Sequence, residues 1–344
     1  MTRVALIGLG MAVTPHAKSL IDLGADVALA YAPSAARRAQ FATKFPFPTT
    51  DDLGAILSDP NITAVGILTP PNTHLELVEQ VAAAGKHILL EKPLDVSTTR
   101  AKAVVEAGKK AGVTIAVMLQ HRFKPAAEKL SEILASGRLG KIVSCSTRIP
   151  WWRPQSYYDE PGRGTLARDG GGVLITQGIH VLDLMLSLAG PVAEVCGFTA
   201  TTALHQMETE DYAASAVRYQ NGALGVIEAT TAFYPGAAER IEFIGTKGTA
   251  VLSGYGYSLQ LMDGTSEVFE PPIATMGATT GGTADPMAFP HDLHQAAWAD
   301  FFGAIATGRP PRVSAEEALK VHHLIDAMLD AGKSDKKVRV ANSE

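Results

Sequence analysis

The stretch VALIGLGMAV, residues 4–13, joins a short apolar run to a glycine-rich turn. Gly8 and Gly10 have the spacing of a turn in which a tight bend and a close backbone approach to a pyrophosphate leave no room for a Cβ atom. A helical pattern follows this turn and ends at Gly24. Because the turn lies between a predicted strand and a predicted helix, we interpret it as a dinucleotide-binding βα unit and not as a plain turn.

The first third of the chain repeats this alternation. Helical patterns of ten or more residues separate short apolar runs at Val4–Ile7, Val27–Tyr31, Ala64–Leu68, His87–Leu90 and Thr114–Leu119. Strands that alternate with helices of this length predict βαβ units and a doubly wound parallel sheet. We therefore predict an α/β Rossmann domain over residues 1–121, with its ligand crevice at the carboxyl ends of the strands.

From residue 142 the pattern changes to consecutive strands. They are predicted at Val143–Ile149, Ala193–Thr199, Tyr212–Tyr219, Leu224–Thr231, Arg240–Ile244, Ala250–Leu252 and Ser258–Met262. Asn221-Gly222 and Asp263-Gly264 are typical of hairpin turns, so the sheet should be mainly antiparallel. We predict an α+β domain over residues 122–344, with a C-terminal helix able to pack back on the first domain and a mobile loop at Met276–Pro286.

Composition limits the classes of partner. The 344 residues are 46% hydrophobic and carry a net charge of -5, which gives no electrostatic case for binding nucleic acid or an anionic membrane. No apolar stretch looks long enough to span a membrane. The two cysteines, Cys145 and Cys196, lack metal or redox spacing and favour free thiols in a reducing compartment, so a cytoplasmic location is expected.

Two groups of residues deserve comparison with metal sites. His205, Glu208, Glu210 and Asp211 form one group, and His291 and His294 lie one helical turn apart. Neither group has the ligand geometry of a rigid site, and we predict no metal.

The end of the second strand should select the cofactor. NAD-binding proteins usually place an acidic residue there, whereas proteins that bind the 2′-phosphate of NADP favour arginine. Here the strand ends Tyr31-Ala32-Pro33-Ser34, and Arg37 and Arg38 follow. This pattern favours NADP, although the two arginines could equally be the solvated face of a helix.

Four motifs together resemble one family. They are the GLG turn at residues 8–10, TPPNTH at 69–74, EKP at 91–93 and GGGVLITQGIHVLD at 170–183. The chain resembles the glucose–fructose oxidoreductase, inositol dehydrogenase and rhizopine catabolism family (Gfo/Idh/MocA) over most of its length. The resemblance implies an NAD(P)-dependent oxidoreductase with a Rossmann domain and a second domain built on a large open antiparallel sheet. It also implies a substrate that is a sugar, sugar nucleotide, cyclitol or related polyol.

The resemblance assigns the chemistry to Lys92, which would lie beside the nicotinamide and contact the substrate hydroxyl. An ammonium there would stabilise the charge that develops on this oxygen in the course of the reaction. Pro93 would be the cis-proline that aims Lys92. Many relatives carry an aspartate four residues before the histidine of the fourth motif, where this chain has Thr176, and this departure leaves the proton path and the substrate class open.

The apolar spacing from Val173 to Gly190 predicts a helix, on which Thr176, His180 and Asp183 share one face. A histidine with a carboxylate one turn later suits a general base whose protonated form is stabilised by Asp183. A lone histidine on a helix is more often structural, so this assignment depends on Lys92 and on the resemblance.

The remaining assignments follow the motifs and a segment rich in aromatic residues and arginine. The cofactor is predicted to contact Gly8, Gly10, Met11, Ala12, Ser34, Arg37, Arg38, Thr69, Pro70, Asn72, His74, Glu91, Lys92 and Gln120. Aromatic rings stack on sugar faces and arginine forks bind hydroxyls. The substrate is therefore predicted to contact Arg122, Trp152, Arg153, Tyr158, Arg163, Thr176 and Gln177, although packing between domains or an oligomer contact could explain any one of these residues.

The predicted activity is hydride transfer between nicotinamide and a secondary hydroxyl or ketone of a sugar, cyclitol or sugar derivative. A cis-dihydrodiol dehydrogenase of aromatic catabolism and a non-catalytic nucleotide-binding sensor are the alternatives. The outer face of the second sheet should be covered, because Leu224, Val226, Ile241 and Phe243 repeat apolar side chains at strand period. A homodimer or homotetramer through that sheet is expected.

Overall fold

The computed structural model describes residues 2–270 and 290–341. It divides the chain into two compact units. The first contains the residues up to Gln120 together with His291–Leu319, and the second contains His121–Pro290 together with the residues from Lys320 onward. The loop predicted at Met276–Pro286 lies outside the described residues.

The first unit is built on a six-stranded parallel sheet in the order β3-β2-β1-β4-β5-β6, which confirms the predicted doubly wound fold. Its strands are β1 Arg3–Ile7, β2 Asp26–Tyr31, β3 Thr49–Thr50, β4 Ala64–Ile67, β5 His87–Leu90 and β6 Ile115–Val117. The central strands are buried along their length, as expected where helices cover both faces of a parallel sheet. The two-residue strand β3 was not predicted.

The helices of the first unit include one from far along the chain. They are α1 Val13–Asp22, α2 Ala35–Ala42, α3 Leu53–Leu57, α4 His74–Ala83, α5 Thr98–Ala111 and α10 Asp292–Thr307. Trp298 of α10 is fully buried, and its ring lies 3.1 Å from where a Cβ atom of Gly66 in β4 would be. Glycine at this position lets the indole pack on the sheet. The first unit therefore differs from the predicted contiguous domain of residues 1–121, because it also contains His291–Leu319.

The second unit contains a nine-stranded sheet in the order β14-β13-β12-β11-β7-β10-β9-β8-β15. Its strands are β7 Ile142–Pro150, β8 Val192–Ala200, β9 Tyr212–Tyr219, β10 Leu224–Thr230, β11 Arg240–Gly245, β12 Gly248–Ser253, β13 Gly256–Leu261, β14 Ser266–Phe269 and β15 Val338–Arg339. All pairs are antiparallel except β7 with β10, which is parallel, so the predicted mainly antiparallel sheet is confirmed. The two edge strands, β14 and β15, were not predicted.

Helices of the second unit precede and follow its first long strand. They are α6 Pro125–Ala135, α7 Gln155–Tyr158, α8 Leu166–Asp169, a π-helical turn at Leu174–Gly178 and α9 Ile179–Ala189. The last helix, α11 Ala315–Ser334, crosses the division between the units at residue 319. Among the described residues, the helical run Leu166–Ala189 is long and apolar enough to cross a membrane, but 78% of its most apolar window is buried, as in the core helix of a folded protein.

One face of the nine-stranded sheet is exposed, but only two of the four apolar residues that were predicted to lie on it are exposed there. Leu224 and Val226 are 52% and 56% exposed, whereas Ile241 and Phe243 are each 1% exposed. The expectation for Ile241 and Phe243 was wrong, because β11 pairs them with Thr147 and Cys145 on the buried face of β7.

Candidate functional site

The glycine turn lies where three strands of the first unit end. Gly8 has φ +104°, and a Cβ atom on it would lie 2.9 Å from the carbonyl group of Leu68. Its amide donates to the carbonyl oxygen of Tyr31 at 3.0 Å. Met11, on the same turn, is 52% exposed. The backbone of this turn therefore packs against the ends of β2 and β4 on one side and is accessible to a ligand on its opposite side. A site that binds a pyrophosphate requires this arrangement.

The two arginines after β2 have different environments. The Arg38 guanidinium donates to the carbonyl oxygens of Ala32 at 2.7 Å and Pro33 at 3.1 Å, and pairs with Asp51 at 2.7 Å. It thus fixes the β2–α2 loop, and a contact of Arg38 with the cofactor stays a prediction.

Arg37, in contrast, is exposed and forms no side-chain hydrogen bond or ion pair with the residues that the structure describes. One of its guanidinium nitrogens lies 3.8 Å from the position that a Cβ atom of Gly10 would take. Ser34 caps α2 by accepting from the Arg37 amide at 3.4 Å. Of the predicted phosphate ligands, Arg37 is therefore the one placed over the glycine turn.

The loop after β4 contains a 3-10 turn at Pro71–Thr73, with Pro70 and Asn72 exposed. The hydroxyl groups of Thr73 and Thr69 lie 2.7 Å apart. This leaves the exposed surface of the loop available to a ligand.

His74 begins α4 and is fully buried. Its Nδ1 lies 3.0 Å and 3.2 Å from the carbonyl oxygens of Pro93 and Leu94, and its Nε2 lies 2.9 Å from that of Thr69. Burial lowers the pKa of the imidazole, partly against the effect of these hydrogen bonds. His74 therefore holds two loops together, and its predicted contact with the cofactor stays a prediction.

The EKP motif follows β5, and the Lys92–Pro93 peptide bond is cis, as the resemblance implied. Lys92 is half-buried. Glu91 accepts a hydrogen bond from the Lys92 amide at 3.0 Å through one oxygen and from His16 Nε2 at 2.8 Å through the other. Burial tends to raise the pKa of Glu91, but the hydrogen bond from His16 and nearby positive charge lower it to about 2. Glu91 is thus a carboxylate with both oxygens engaged by the protein, and its predicted contact with the cofactor stays a prediction.

Gln120 provides an independent test of whether the first unit fits a cofactor. It begins the 3-10 turn Gln120–Phe123 after β6, and its buried side-chain oxygen has no hydrogen-bond partner among the described residues. A buried acceptor without a partner is costly, and a ligand with an N–H group would satisfy it. Together with the accessible glycine turn, this atom fits a nicotinamide dinucleotide.

In the second unit, the glycine stretch passes close to its own chain. A Cβ atom on Gly172 would lie 1.7 Å from the carbonyl oxygen of Glu210. The Glu210 carboxylate accepts from the amides of Gly172 at 3.0 Å and Leu174 at 3.1 Å. These glycines therefore serve internal packing at the start of the helical segment, and not the close approach of a ligand.

The π turn at Leu174–Gly178 changes the predicted helix face. Residues that are four apart lie over one another in an α-helix, but a π turn contains an additional residue. The spacing therefore aligns His180 with Asp183 in α9 but does not align Thr176 with His180. The Thr176 hydroxyl instead donates to the carbonyl oxygen of Gly172 at 2.6 Å and also contacts Gln177.

Asp183 forms a bidentate pair with Arg122. Its two oxygens accept from Nε at 2.7 Å and from Nη2 at 2.6 Å, and both side chains are at least nine-tenths buried. Arg122 was predicted to bind the substrate and Asp183 to support His180. The structure joins them to each other, so the charge that Asp183 offers an imidazolium is largely offset.

His180 is half-buried on α9, and its ring centroid lies 5.1 Å from that of His121. The sequence analysis did not single out His121. The only signal for it was its place between Gln120 and Arg122, directly after a strand. His121 is thus an aromatic and titratable neighbour of His180, the predicted base.

Tyr157, and not Tyr158, is the accessible residue of the tandem tyrosines. Tyr158 is 7% exposed, its hydroxyl lies 2.7 Å from that of Thr231, and burial raises its pKa. Tyr158 is therefore turned away from solvent, and its predicted contact with substrate stays a prediction. Tyr157 is half-exposed, with its hydroxyl 3.5 Å from the side-chain nitrogen of Gln177. Adjacent residues on a one-turn helix point in different directions, and the sequence did not show which one faced inward.

Two guanidinium groups lie against the Tyr157 ring. Those of Arg163 and Arg153 are 4.1 Å and 5.7 Å from its centroid. Arg163 also pairs with Glu160. Arg153 is 5% exposed, and burial lowers its pKa. Trp152 is half-buried and packs edge-on against Tyr234. The predicted substrate segment is thus a cluster of aromatic and cationic groups around Tyr157.

The groups considered for metal binding have structural partners. His205 lies 2.7 Å from Asp211, the Glu208 carboxylate accepts from the Leu166 amide at 3.0 Å, and His291 pairs with Asp22 at 2.6 Å.

A different group of residues offers side chains that could bind a metal ion, and the sequence analysis did not identify it. Ligand atoms of His16, Glu91 and His294 lie within 4.8 Å of one another in the first unit. These residues are 75 or more positions apart in sequence, so spacing gave no signal.

Comparison with known proteins identifies both parts of the chain. Residues 2–119 match the model of an oxidoreductase family described as having an NAD-binding Rossmann fold, and residues 127–251 match the GFO/IDH/MocA C-terminal domain. Myo-inositol 2-dehydrogenase of Thermotoga maritima is 31% identical over 257 residues, which cover 72% of this chain and 73% of that protein. D-xylose 1-dehydrogenase (NADP(+)) 2 of Haloferax volcanii is 27% identical over 87% of each chain.

Among solved structures, the WlbA dehydrogenase of Bordetella pertussis in complex with NADH and UDP-GlcNAcA has a TM-score of 0.85 and 25% identity, with 99% of this chain and 98% of that one covered. Several other curated relatives match over only part of their length, with 58%, 56% and 55% of their residues covered.

Proposed function

Because the chain belongs to the Gfo/Idh/MocA family of oxidoreductases, we propose that it is an NAD(P)-dependent dehydrogenase of a sugar, cyclitol or related polyol. The reaction is hydride transfer between a secondary carbinol carbon and nicotinamide. The proposal rests chiefly on the position of Lys92. This half-buried lysine belongs to the EKP motif and lies at the carboxyl end of β5. Parallel sheets of this type bind dinucleotides at the carboxyl ends of their strands.

The first unit would hold the cofactor through the turn at Gly8 and Gly10, the guanidinium of Arg37 and the side-chain oxygen of Gln120. The bound nicotinamide would supply the hydride acceptor. NADP is proposed to serve at least as well as NAD. The support for this is that the β2–α2 loop and α2 contain no carboxylate and that Arg37 lies beside the glycine turn. The relatives include an enzyme named for NADP(+) and a structure with NADH.

Lys92 would donate a hydrogen bond to the reacting oxygen of the substrate. Negative charge develops on that oxygen as its proton is removed in the oxidation direction, or as hydride reaches the carbonyl carbon in the reduction direction, and a fixed ammonium stabilises this charge more than water does. The Glu91 carboxylate holds the main chain of Lys92, which limits the positions that the ammonium can reach.

His180 would take the hydroxyl proton on an imidazole nitrogen in the oxidation direction and return it in the reduction direction. The ring of His121, tilted 31° against that of His180 with centroids 5.1 Å apart, limits its rotation, and the Arg122–Asp183 pair holds the helix in place. The cluster at Tyr157, Arg153 and Arg163 would bind the remainder of the substrate, with the aromatic face against sugar carbons and guanidinium groups on hydroxyls.

The protein would act as a homodimer or homotetramer that covers the exposed face of the nine-stranded sheet, where Phe198, Leu224 and Val226 are 71%, 52% and 56% exposed. The free thiols Cys145 and Cys196 support the proposal of a reducing compartment, the cytoplasm.

The test is a panel of sugars, inositols and cis-dihydrodiols scanned at 340 nm with NAD and NADP. We expect turnover of at least one polyol, and Lys92→Ala should lower kcat about 10²-fold with little change in cofactor affinity. Lys102→Ala, an exposed lysine on α5, is the matched control and should stay within about twofold of wild type. Turnover confined to dihydrodiols, or cofactor binding without turnover of any compound, would contradict the proposal.

A further inference from the structure

A chain of hydrogen bonds crosses the first unit and ends at the backbone of Lys92. Trp298 Nε1 lies 3.1 Å from His16 Nδ1, His16 Nε2 lies 2.8 Å from Glu91 Oε1, and the Lys92 amide lies 3.0 Å from Glu91 Oε2. Trp298 and His16 are fully buried and Glu91 is 9% exposed. The chain joins α10, α1 and the end of β5, and α1 is the helix that follows the glycine turn.

The chemistry of the groups fixes the direction of each bond. An indole N–H can only donate, so Nδ1 of His16 must accept and carries no proton. The proton of the neutral imidazole then lies on Nε2, where it is donated to Glu91. The second carboxylate oxygen accepts from the Lys92 amide. Trp298 therefore selects the one neutral tautomer of His16 that can hold an ionised Glu91.

This arrangement explains why the nearby histidine and carboxylate groups form a relay and not a metal site. A metal ion is bound through an imidazole lone pair. In His16 the lone pair on Nδ1 accepts from Trp298, and Nε2 carries the proton that Glu91 accepts. His294 stands edge-on to the His16 ring at 5.1 Å and packs against the relay.

We propose that His16 and Trp298 are positioning residues for Lys92. They keep Glu91 in one orientation, and Glu91 fixes the peptide from which the lysine side chain extends. A lysine has a flexible four-carbon stem, so its ammonium can be held accurately only if the main chain below it is held. The proposal rests on the proposed function, because it assumes that Lys92 contacts the reacting oxygen.

Four variants separate positioning from simple stability. His16→Leu keeps much of the volume but removes both hydrogen bonds, and His16→Gln keeps one donor and one acceptor. Trp298→Phe removes only the N–H that selects the tautomer. Val104→Ala, at a fully buried position of α5, is the control for lost core packing.

We expect His16→Leu to lower kcat about tenfold, since displacing a catalytic group by less than 1 Å has effects of this order, with unchanged KM for the cofactor. His16→Gln should recover part of the loss, and Trp298→Phe should lie between wild type and His16→Leu. Trp298→Phe added to His16→Leu should cause no further decrease. Val104→Ala should lower Tm and leave kcat per bound cofactor unchanged. If kcat per binding site of the folded His16 and Trp298 variants equals that of wild type while only Tm falls, the positioning role is overturned.

A second measurement does not depend on activity. In protein labelled with ¹⁵N-tryptophan, the Trp298 indole N–H resonance, assigned by its loss in Trp298→Phe, should shift upfield in His16→Leu because its acceptor is removed. An unmoved resonance would overturn the relay even if the enzyme proves active. A shifted resonance in a protein that turns over no polyol would reject the proposed function and leave the hydrogen-bond chain supported. One equivalent of Zn²⁺ bound by wild type and lost in His16→Leu would also overturn the relay.

Discussion

Arg37→Ala should lower kcat/KM for NADP and leave kcat/KM for NAD within about twofold of wild type. The Arg37 guanidinium lies beside the glycine turn, 3.8 Å from the Cβ position of Gly10, and has no acidic partner among the described residues. It can therefore bind a 2′-phosphate without first breaking an existing ion pair. NAD carries no charge at that position and should not be affected.

The magnitude follows from the strength of one charge-assisted hydrogen bond, about 1.5–3 kcal/mol. At about 1.4 kcal/mol per factor of ten, this corresponds to a roughly 10- to 150-fold loss for NADP. Because Arg37 is exposed, solvent and salt screen its charge, and the lower end of that range applies at physiological ionic strength. The loss should grow when the assay is repeated at low salt.

Arg38→Ala is the matched control, because the same charge is removed one residue away. Arg38 is held by Ala32, Pro33 and Asp51, so its removal should lower Tm and affect both cofactors alike. The assay is initial-rate kinetics with both cofactors for wild type and the two variants, at two salt concentrations. A wild-type enzyme that strongly prefers NAD, or an Arg37→Ala variant whose NADP/NAD ratio of kcat/KM is unchanged, would refute the reasoning.

Three further results are expected. His180→Ala should lower kcat and remove the lower inflection of the pH profile in the oxidation direction, and an identical profile would assign the proton to another group. Glu91 has a folded pKa of about 2 and an ordinary value of 4.5, so its ionised form contributes about 3 kcal/mol to stability above pH 4.5, which is lost as pH falls toward 2. Denaturant unfolding should show that Glu91→Gln lacks this acid-dependent loss, and parallel curves for both proteins would contradict the assignment. Phe198→Asp should dissociate the oligomer in light scattering and expose Cys196 to thiol reagents, whereas a wild-type monomer at micromolar concentration would exclude the proposed interface.

The first sheet could be predicted from the sequence because its strands are buried on both faces and are therefore continuous apolar runs. The return of α10 could not. Its place in the first unit depends on Trp298 packing over Gly66, and no pattern near either residue indicates the other. The two-residue strand β3 has too few residues to produce a periodic pattern.

At the site, motifs located the positions but not the partners of the side chains. Lys92 and the cis bond before Pro93 followed from the EKP motif. The bidentate pair of Arg122 with Asp183 did not, because 61 residues separate them and each had another plausible role. The π turn was also missed, since a shift of one hydrogen bond within a helix leaves the apolar spacing nearly unchanged.

The π turn has a consequence for how the substrate preference of such a chain can change over evolution. A π turn accommodates one additional residue locally, so deleting one residue within Leu174–Gly178 would restore α-helical spacing and change which of the remaining side chains lies at each position around this turn. Glu210 holds the start of this segment, and the Arg122–Asp183 pair holds the helix beyond it. A single-codon deletion could therefore present a new side chain beside His180 while both anchors stay in place, a route to new specificity that requires no substitution.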